Sequence, residues 1–257
     1  KAHLSGLMYL GVGAGLLLSN SMVDTTAIWL QGYDRWIPAA LASIPLAMSS
    51  GVYLYRLGSG EKPVSRADHS PLWDKQSTPL FLAYAGAGLG YILPMTFLPA
   101  VAQEWNIDVS PSPWLIAAVA SVPAIFIWNS LGNRFGDRNA LILNYTTQAL
   151  AVAAILVLPK TVEGLWICAA LMGGSFLGAV FLTQRFARKM HPHQGPRLSA
   201  ALIALYGVAQ LVGPIIAETG IHMGMTLAST FIWGLGACIW GLLWMFKTPN
   251  LHSGGAK

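Results

Sequence analysis

The chain has 257 residues, of which 54% are hydrophobic and only 10% are Asp, Glu, Lys or Arg. A soluble domain carries about 25% charged residues, so the composition argues against a water-soluble globular fold, and the apolar residues lie in long uncharged blocks with no strand-like alternation. The net charge of +5 invites a nucleic-acid partner, but the placement of the basic residues gives it a different origin. Eight blocks read as membrane-spanning helices: 4–28, 36–55, 80–102, 113–131, 140–159, 164–184, 199–220 and 225–246. About twenty apolar residues rising about 1.5 Å each cross a hydrocarbon core of roughly 30 Å. Among their ionisable residues are the acids Asp24 and Glu218, and no Lys or Arg. With Lys1 inside and the spans alternating, every Lys and Arg except Arg35 and Lys160 falls on one side. That is the positive-inside pattern, so both termini are expected in the cytoplasm and no nucleic-acid partner is needed.

In chain order, the first span carries Gly6, Gly11, Gly13 and Gly15, small residues that permit close helix crossing. Asn20 and Asp24 are one turn apart on one face near its outer end. An acid inside a membrane span is a functional candidate, and Asp24 is read as a gate or coupling residue. Pro38 and Pro45 bend the second span, and Tyr53 and Tyr55 close it at the interface. Residues 57–78 are polar, rich in Gly, Ser and Pro, and read as a cytoplasmic linker.

The run from Pro79 to Glu104 holds no charge between those residues. Gly86, Gly88 and Gly90 remove bulk, and Pro94 and Pro99 each remove a backbone donor. Tyr84, Gly88, Tyr91 and Met95 share one face. Two readings fit these residues: a transport path, or a tightly packed structural helix. The fourth span ends in Asn129 and runs into the basic inner turn Leu131–Arg138. Asn144 and Gln148 lie one turn apart in the fifth span, and Phe176 shares a face with Met172, Ala179 and Thr183 in the sixth. The basic run 185–197 reads as a cytoplasmic loop facing anionic lipid headgroups. Tyr206 and Gln210 share a face of the seventh span, followed by a Gly213-Pro214 kink and by Glu218, the second gate or coupling candidate. The eighth span is rich in Trp at its inner end, and Leu251–Lys257 reads as a disordered tail. His191-Pro192-His193 has no third ligand, and the outer turn with His222, Met223 and Met225 has a soft-metal composition but reads as an ordinary interfacial turn, so no metal is assigned. Cys168 and Cys238 fall inside spans and read as packing residues.

Tyr84, Gly88, Gly90, Tyr91, Ile92, Thr96, Phe97, Leu98 and Pro99 together resemble the opening helix of one half of a major facilitator superfamily transporter, most nearly its YbfB/YjiJ-type members. The superfamily's signature inner loop, Asp-Arg-x-Gly-Arg-Arg, is similar to Asn133, Arg134, Gly136, Asp137 and Arg138, with Asn133 in place of the acid and Asp137 in place of a base. Tyr9-Leu10-Gly11-Val12 also echoes Leu205-Tyr206-Gly207-Val208, each followed by an acid. The resemblance implies an all-α polytopic membrane protein whose eight transmembrane helices correspond to helices 5–12 of that fold. Residues 1–56 would be the last two helices of the N-terminal half, 57–78 the linker, 79–247 the six-helix C-terminal half and 248–257 the tail.

The expected function is secondary active transport of a small organic solute by alternating access in a bacterial inner membrane. Proton coupling follows from the resemblance alone. Tyr84, Tyr91, Asn129, Phe176, Tyr206 and Gln210 are the substrate-path candidates, as aromatics and amides able to orient an organic solute. No cofactor is expected, and the bilayer and an unidentified solute are the partners. The alternative is a transport-inactive subunit that packs into a larger membrane complex. An enzyme is disfavoured, because no nucleophile–base pair, phosphate loop or metal cluster is visible.

Overall fold

The computed structural model describes residues 2–58 and 71–251, with side chains described for 11–56 and 71–251. Among these residues the secondary structure is entirely helical: α1 (Ala2–Thr26), a 3-10 turn (Gly32–Trp36), α2 (Ile37–Gly58), α3 (Thr78–Glu104), α4 (Pro113–Phe135), α5 (Asp137–Val157), α6 (Val162–Met190), α7 (Gly195–His222) and α8 (Leu227–Phe246). Helices α2 to α8, seven in number, are long and apolar enough to cross a membrane. The chain is therefore a polytopic helical membrane protein. Most of the expected linker, residues 59–70, and the tail from 252 lie outside the described residues.

Helices α3 to α8 pack as one bundle, with α1 laid against α4 and α2 joined mainly through α1 and the 3-10 turn. The most extensive pairing is α3 with α8, and its cause is local. A Cβ on Gly86 would sit 2.6 Å from the Ala237 carbonyl oxygen, and one on Gly90 would collide with the Cys238 sulfur. Gly241 returns the fit: a Cβ there would stand 2.8 Å from the Ala83 carbonyl oxygen. In lipid, helices gain little from burying apolar surface, so close van der Waals contact carries their association. Cys238 is accordingly a packing residue, fully buried in the groove that Gly90 leaves.

The helix ends differ from expectation at three places. The basic run 185–197 was expected as a loop, but Arg185–Met190 continue α6 and Gly195–Arg197 begin α7, leaving a four-residue turn. At about 1.5 Å per residue, a 29-residue helix outruns the hydrocarbon core and carries its charges into the headgroup layer. The inner turn Leu131–Arg138 likewise shrinks to Gly136, which alone breaks the helical path with φ +84° and ψ 151°, a conformation that costs a residue bearing Cβ. Finally, Leu251 packs against the bundle core instead of opening a free tail.

Polar contacts tie the elements at both ends. At the end opposite the basic residues, the Glu104 carboxylate accepts from the Leu227 and Ala228 N–H groups at 3.0 and 3.1 Å, capping α8 from the last residue of α3. At the basic end, Asp74 accepts from the Gln76 and Ser77 N–H groups at 2.9 and 2.7 Å and orders the entry to α3. Its carboxylate also lies 3.6 Å from His191, at the end of α6. Burial pushes the Asp74 carboxyl up, but the Ser77 and Gln76 hydrogen bonds and His191 together outweigh it and hold its pKa below the ordinary value.

Two outcomes follow. Replacing Gly90 with Leu should destabilise the protein by about 2 kcal/mol or more, read as a lowered thermal midpoint in detergent. Gly236→Leu, whose Cβ meets nothing within 4 Å, should leave the midpoint unchanged. Because the folded pKa of Asp74 is depressed, its contribution is present above the ordinary Asp range near 4 and is lost as pH falls through the lower folded value. The stability gap between the native protein and Asp74→Ala should thus narrow as pH falls below about 4.

Candidate functional site

The face of α3 predicted from sequence forms the centre of an aromatic stack. Tyr84 stacks on Tyr206 of α7 with ring centroids 4.6 Å apart, and Tyr91 stacks on Phe176 of α6 at 5.2 Å. Tyr91 and Tyr206 are 6.2 Å apart, which joins the two pairs. Gly88 makes this possible, since a Cβ there would stand 2.9 Å from the Tyr206 ring. Four of the six substrate-path candidates therefore come together on three helices. Tyr84, Phe176 and Tyr206 are buried, whereas Tyr91 is only partly so. Gln210 stands one turn beyond Tyr206, half-buried.

Tyr91 is also a wall of a cavity of about 360 Å³ between α1, the 3-10 turn, α3 and α4. Its other walls include Ser19 and Asn20 from α1, Trp36, Met95 and Thr96 from α3, and Trp114 from α4. Backbone chemistry explains how Trp114 is placed. Pro99 has no N–H, so the Met95 carbonyl four residues earlier lacks its helical partner. The Trp114 indole N–H donates to that carbonyl at 2.8 Å. Trp36 then meets Trp114 edge-on at 5.9 Å. α1 reaches the same place because Gly13 lies against Ser121 of α4. Trp36, Trp114 and Asn20 were not read from sequence as a group. The Met95–Pro99 spacing is the signal that marks the carbonyl in need of a donor.

The two acids lie outside this lining. Asp24 is exposed and accepts from the Asn20 amide at 3.2 Å, as their spacing predicts. Glu218 is exposed near the end of α7.

Asn129 is placed elsewhere, in a charge cluster at the basic end. Asp137 is the first residue of α5, and its side chain is 1% exposed. It accepts from Arg185 Nε at 2.6 Å and pairs with Lys189 Nζ at 2.7 Å. The Arg185 guanidinium also donates to Asn129 Oδ1 at 2.8 Å and Asn133 Oδ1 at 2.9 Å. A single arginine of α6 thus gathers Asn129, Asn133 and Asp137 from α4 and α5. This corrects the expectation that Arg185 and Lys189 serve lipid headgroups: both face a buried carboxylate. Arg138 donates from Nε to the Thr248 carbonyl at 2.9 Å and from Nη2 to the Phe246 carbonyl at 2.7 Å. Arg134 lies over the Phe135 ring and, with Gly136, borders a second cavity of about 540 Å³ that reaches Asn250 and Leu251. Among the described residues no group of three His, Cys, Asp or Glu is placed to hold a metal.

Breaking the cluster should be costly in one direction. Asp137→Asn leaves Arg185 without its anion, a loss of about 3 kcal/mol for a buried pair, while half-exposed Lys189 adds little. The double variant Asp137→Asn with Arg185→Gln should recover part of that loss. Thermal unfolding of the four proteins in detergent completes the cycle, and strictly additive losses would mean the pair is not coupled.

A family model described as "Uncharacterised MFS-type transporter YbfB" matches residues 1–245. No curated protein matches the chain. The match runs through all eight helices, and it covers the α3 face, the cavity walls and the α4–α6 charge cluster alike. The chain belongs to the YbfB-type family of major facilitator superfamily transporters.

Proposed function

We propose that the chain acts as part of a secondary active transporter that moves a small organic solute by alternating access. The observation that carries this reading is the position of Tyr91, which belongs both to the aromatic stack and to the wall of the cavity beside it. A solute in the cavity would touch a ring whose packing extends through Phe176 and Tyr206 into α6 and α7. Tyr84 packs on Tyr206 behind that surface, and Gln210 remains a candidate one turn beyond Tyr206. Asn129, held by Arg185, acts on the path from the basic end. The family is one of transporters, and we assign the protein no enzymatic step.

In this reading α1 and α2 are the closing pair of one six-helix half, and α3 to α8 are the other half. The packing supports the division, since α3 to α8 form a bundle and α1 meets it mainly along α4. The basic end faces the cytoplasm of a bacterial cell, following the positive-inside rule. Pro94 and Pro99 in α3 and Pro214 in α7 supply bends at which the halves can rock. Asp24 and Glu218 are the coupling candidates. If transport is proton-driven and Asp24→Asn keeps its pH dependence, Asp24 is not the carrier. The second reading, a transport-inactive subunit in a membrane complex, draws on α2, where none of residues 37–56 is buried.

Alternating access is testable without knowing the solute. Both native cysteines are buried, so a membrane-impermeant maleimide should label the native protein weakly. Ser19→Cys introduces a thiol in the cavity wall. It should react in right-side-out and in inverted vesicles. Reaction from one face only would overturn alternating access and favour the inactive subunit.

A further inference from the structure

We infer that the cavity between α1, α3 and α4 takes a flat aromatic solute that carries hydrogen-bond donors and no negative charge. This deepens the transporter reading and rests on it for its physiological meaning. The binding claim itself stands on the cavity walls.

Two kinds of wall argue for a ring. Trp36 and Trp114 meet edge-on, and Tyr91 is anchored from behind by Phe176. Trp114 is further fixed by its indole bond to Met95. Rings held this way offer flat faces with little motion left to lose on binding, and aromatic partners add to area burial through offset or edge contacts. The cavity's volume, about 360 Å³, falls in the range of small-molecule sites, roughly 300–1,000 Å³.

The polar walls set the sign. Asn20 gives one amide N–H to Asp24 and keeps its carbonyl oxygen as an acceptor and its second N–H as a donor. Ser19 donates its hydroxyl to the Leu16 carbonyl and keeps its lone pairs. The Trp114 N–H is already taken by Met95. Thr96, which makes no hydrogen bond among the described residues, remains a donor or an acceptor. The wall therefore offers acceptors at Asn20, Ser19 and Thr96, beside the donors of Asn20, Trp36 and Tyr91, and its charge decides between ligands. No Lys, Arg or His is among the described lining residues, whereas Asp24 stands one hydrogen bond behind Asn20. An anionic group would enter without a counter-charge and against a carboxylate, which is unfavourable where water is scarce. An ammonium or a ring N–H meets acceptors, a carboxylate close behind them and aromatic faces suited to a cation.

A matched series of probes tests this, with one ring system and three charges: tryptamine, indole and indole-3-acetate. The protein in nanodiscs of zwitterionic lipid is titrated with each, and affinity is read from ligand-induced thermal stabilisation. Tryptamine should bind at least tenfold more tightly than indole-3-acetate, with indole between them. Asp24→Asn should weaken tryptamine several-fold and leave indole unchanged. Trp36→Ala should weaken all three, and its midpoint without ligand shows whether the fold survives. Independently of any tryptophan variant, tryptamine should protect Ser19→Cys from maleimide. Equal or tighter binding of indole-3-acetate would overturn the charge assignment. Unchanged maleimide reaction under saturating tryptamine, or no stabilisation by any probe, would overturn the site. These results are separable from the transport reading: labelling of Ser19→Cys from both faces would stand even if no probe bound.

Discussion

Everything in this bundle depends on how closely α3 can be approached. The helix presents glycine at positions 86, 88 and 90, and each admits a specific neighbour: the α8 backbone at Gly86, the Tyr206 ring at Gly88 and the Cys238 sulfur at Gly90. Because lipid and core are both apolar, such contact carries most of the attraction between helices. The same missing side chains therefore set the α3–α8 contact and the position of the aromatic stack. Had α3 carried alanine or leucine there, α8 and Tyr206 would both stand farther away, and Tyr91 would lose the ring that joins it to Tyr84.

A second constraint is the cost of an unpaired polar group in hydrocarbon. Pro99 creates such a group at the Met95 carbonyl, and Trp114 answers it. Trp128, whose ring lies over Gly178, donates to the Gly174 carbonyl at 2.6 Å, and the Asn144 amide donates to the Ser175 carbonyl at 2.8 Å. These bonds set helix register as side-chain packing alone does not, because each donor must find one carbonyl. The cavity is a by-product of this pairing: Trp114 is held where its indole closes one wall.

The helices were legible because twenty-residue apolar blocks have one solution in a bilayer. The α3 face was legible because a four-residue rhythm places Tyr84, Gly88 and Tyr91 in line. The partners across space were less so. Phe176 and Tyr206 were read from their own helices, but nothing in the local sequence shows that both meet Tyr91. Arg185 illustrates the loss most clearly. In sequence it belongs to a run of basic residues at a membrane boundary, where headgroup contact is the economical reading. In the fold it lies beside Asp137, 48 positions earlier in the chain, and draws Asn129 away from the aromatic stack. Helix ends were misread for a related reason: hydropathy marks where hydrocarbon stops, whereas α6 stays hydrogen-bonded into the polar layer.

The grip of Arg138 on the far end of α8 has a mechanical consequence. Arg138 stands in the first turn of α5, and its two bonds close on the Phe246 and Thr248 carbonyls just where α8 stops. α5 and α8 are also in broad contact along their lengths. A pair fastened at its tip as well as along its shaft turns as a single lever. Any tilt of α8 would then be delivered to the single-residue joint at Gly136, whose backbone already occupies a conformation that few other residues adopt. The charge cluster around Asp137 would feel that tilt first, so Arg138 serves as the pin through which the end of the chain is geared to the junction of α4 and α5.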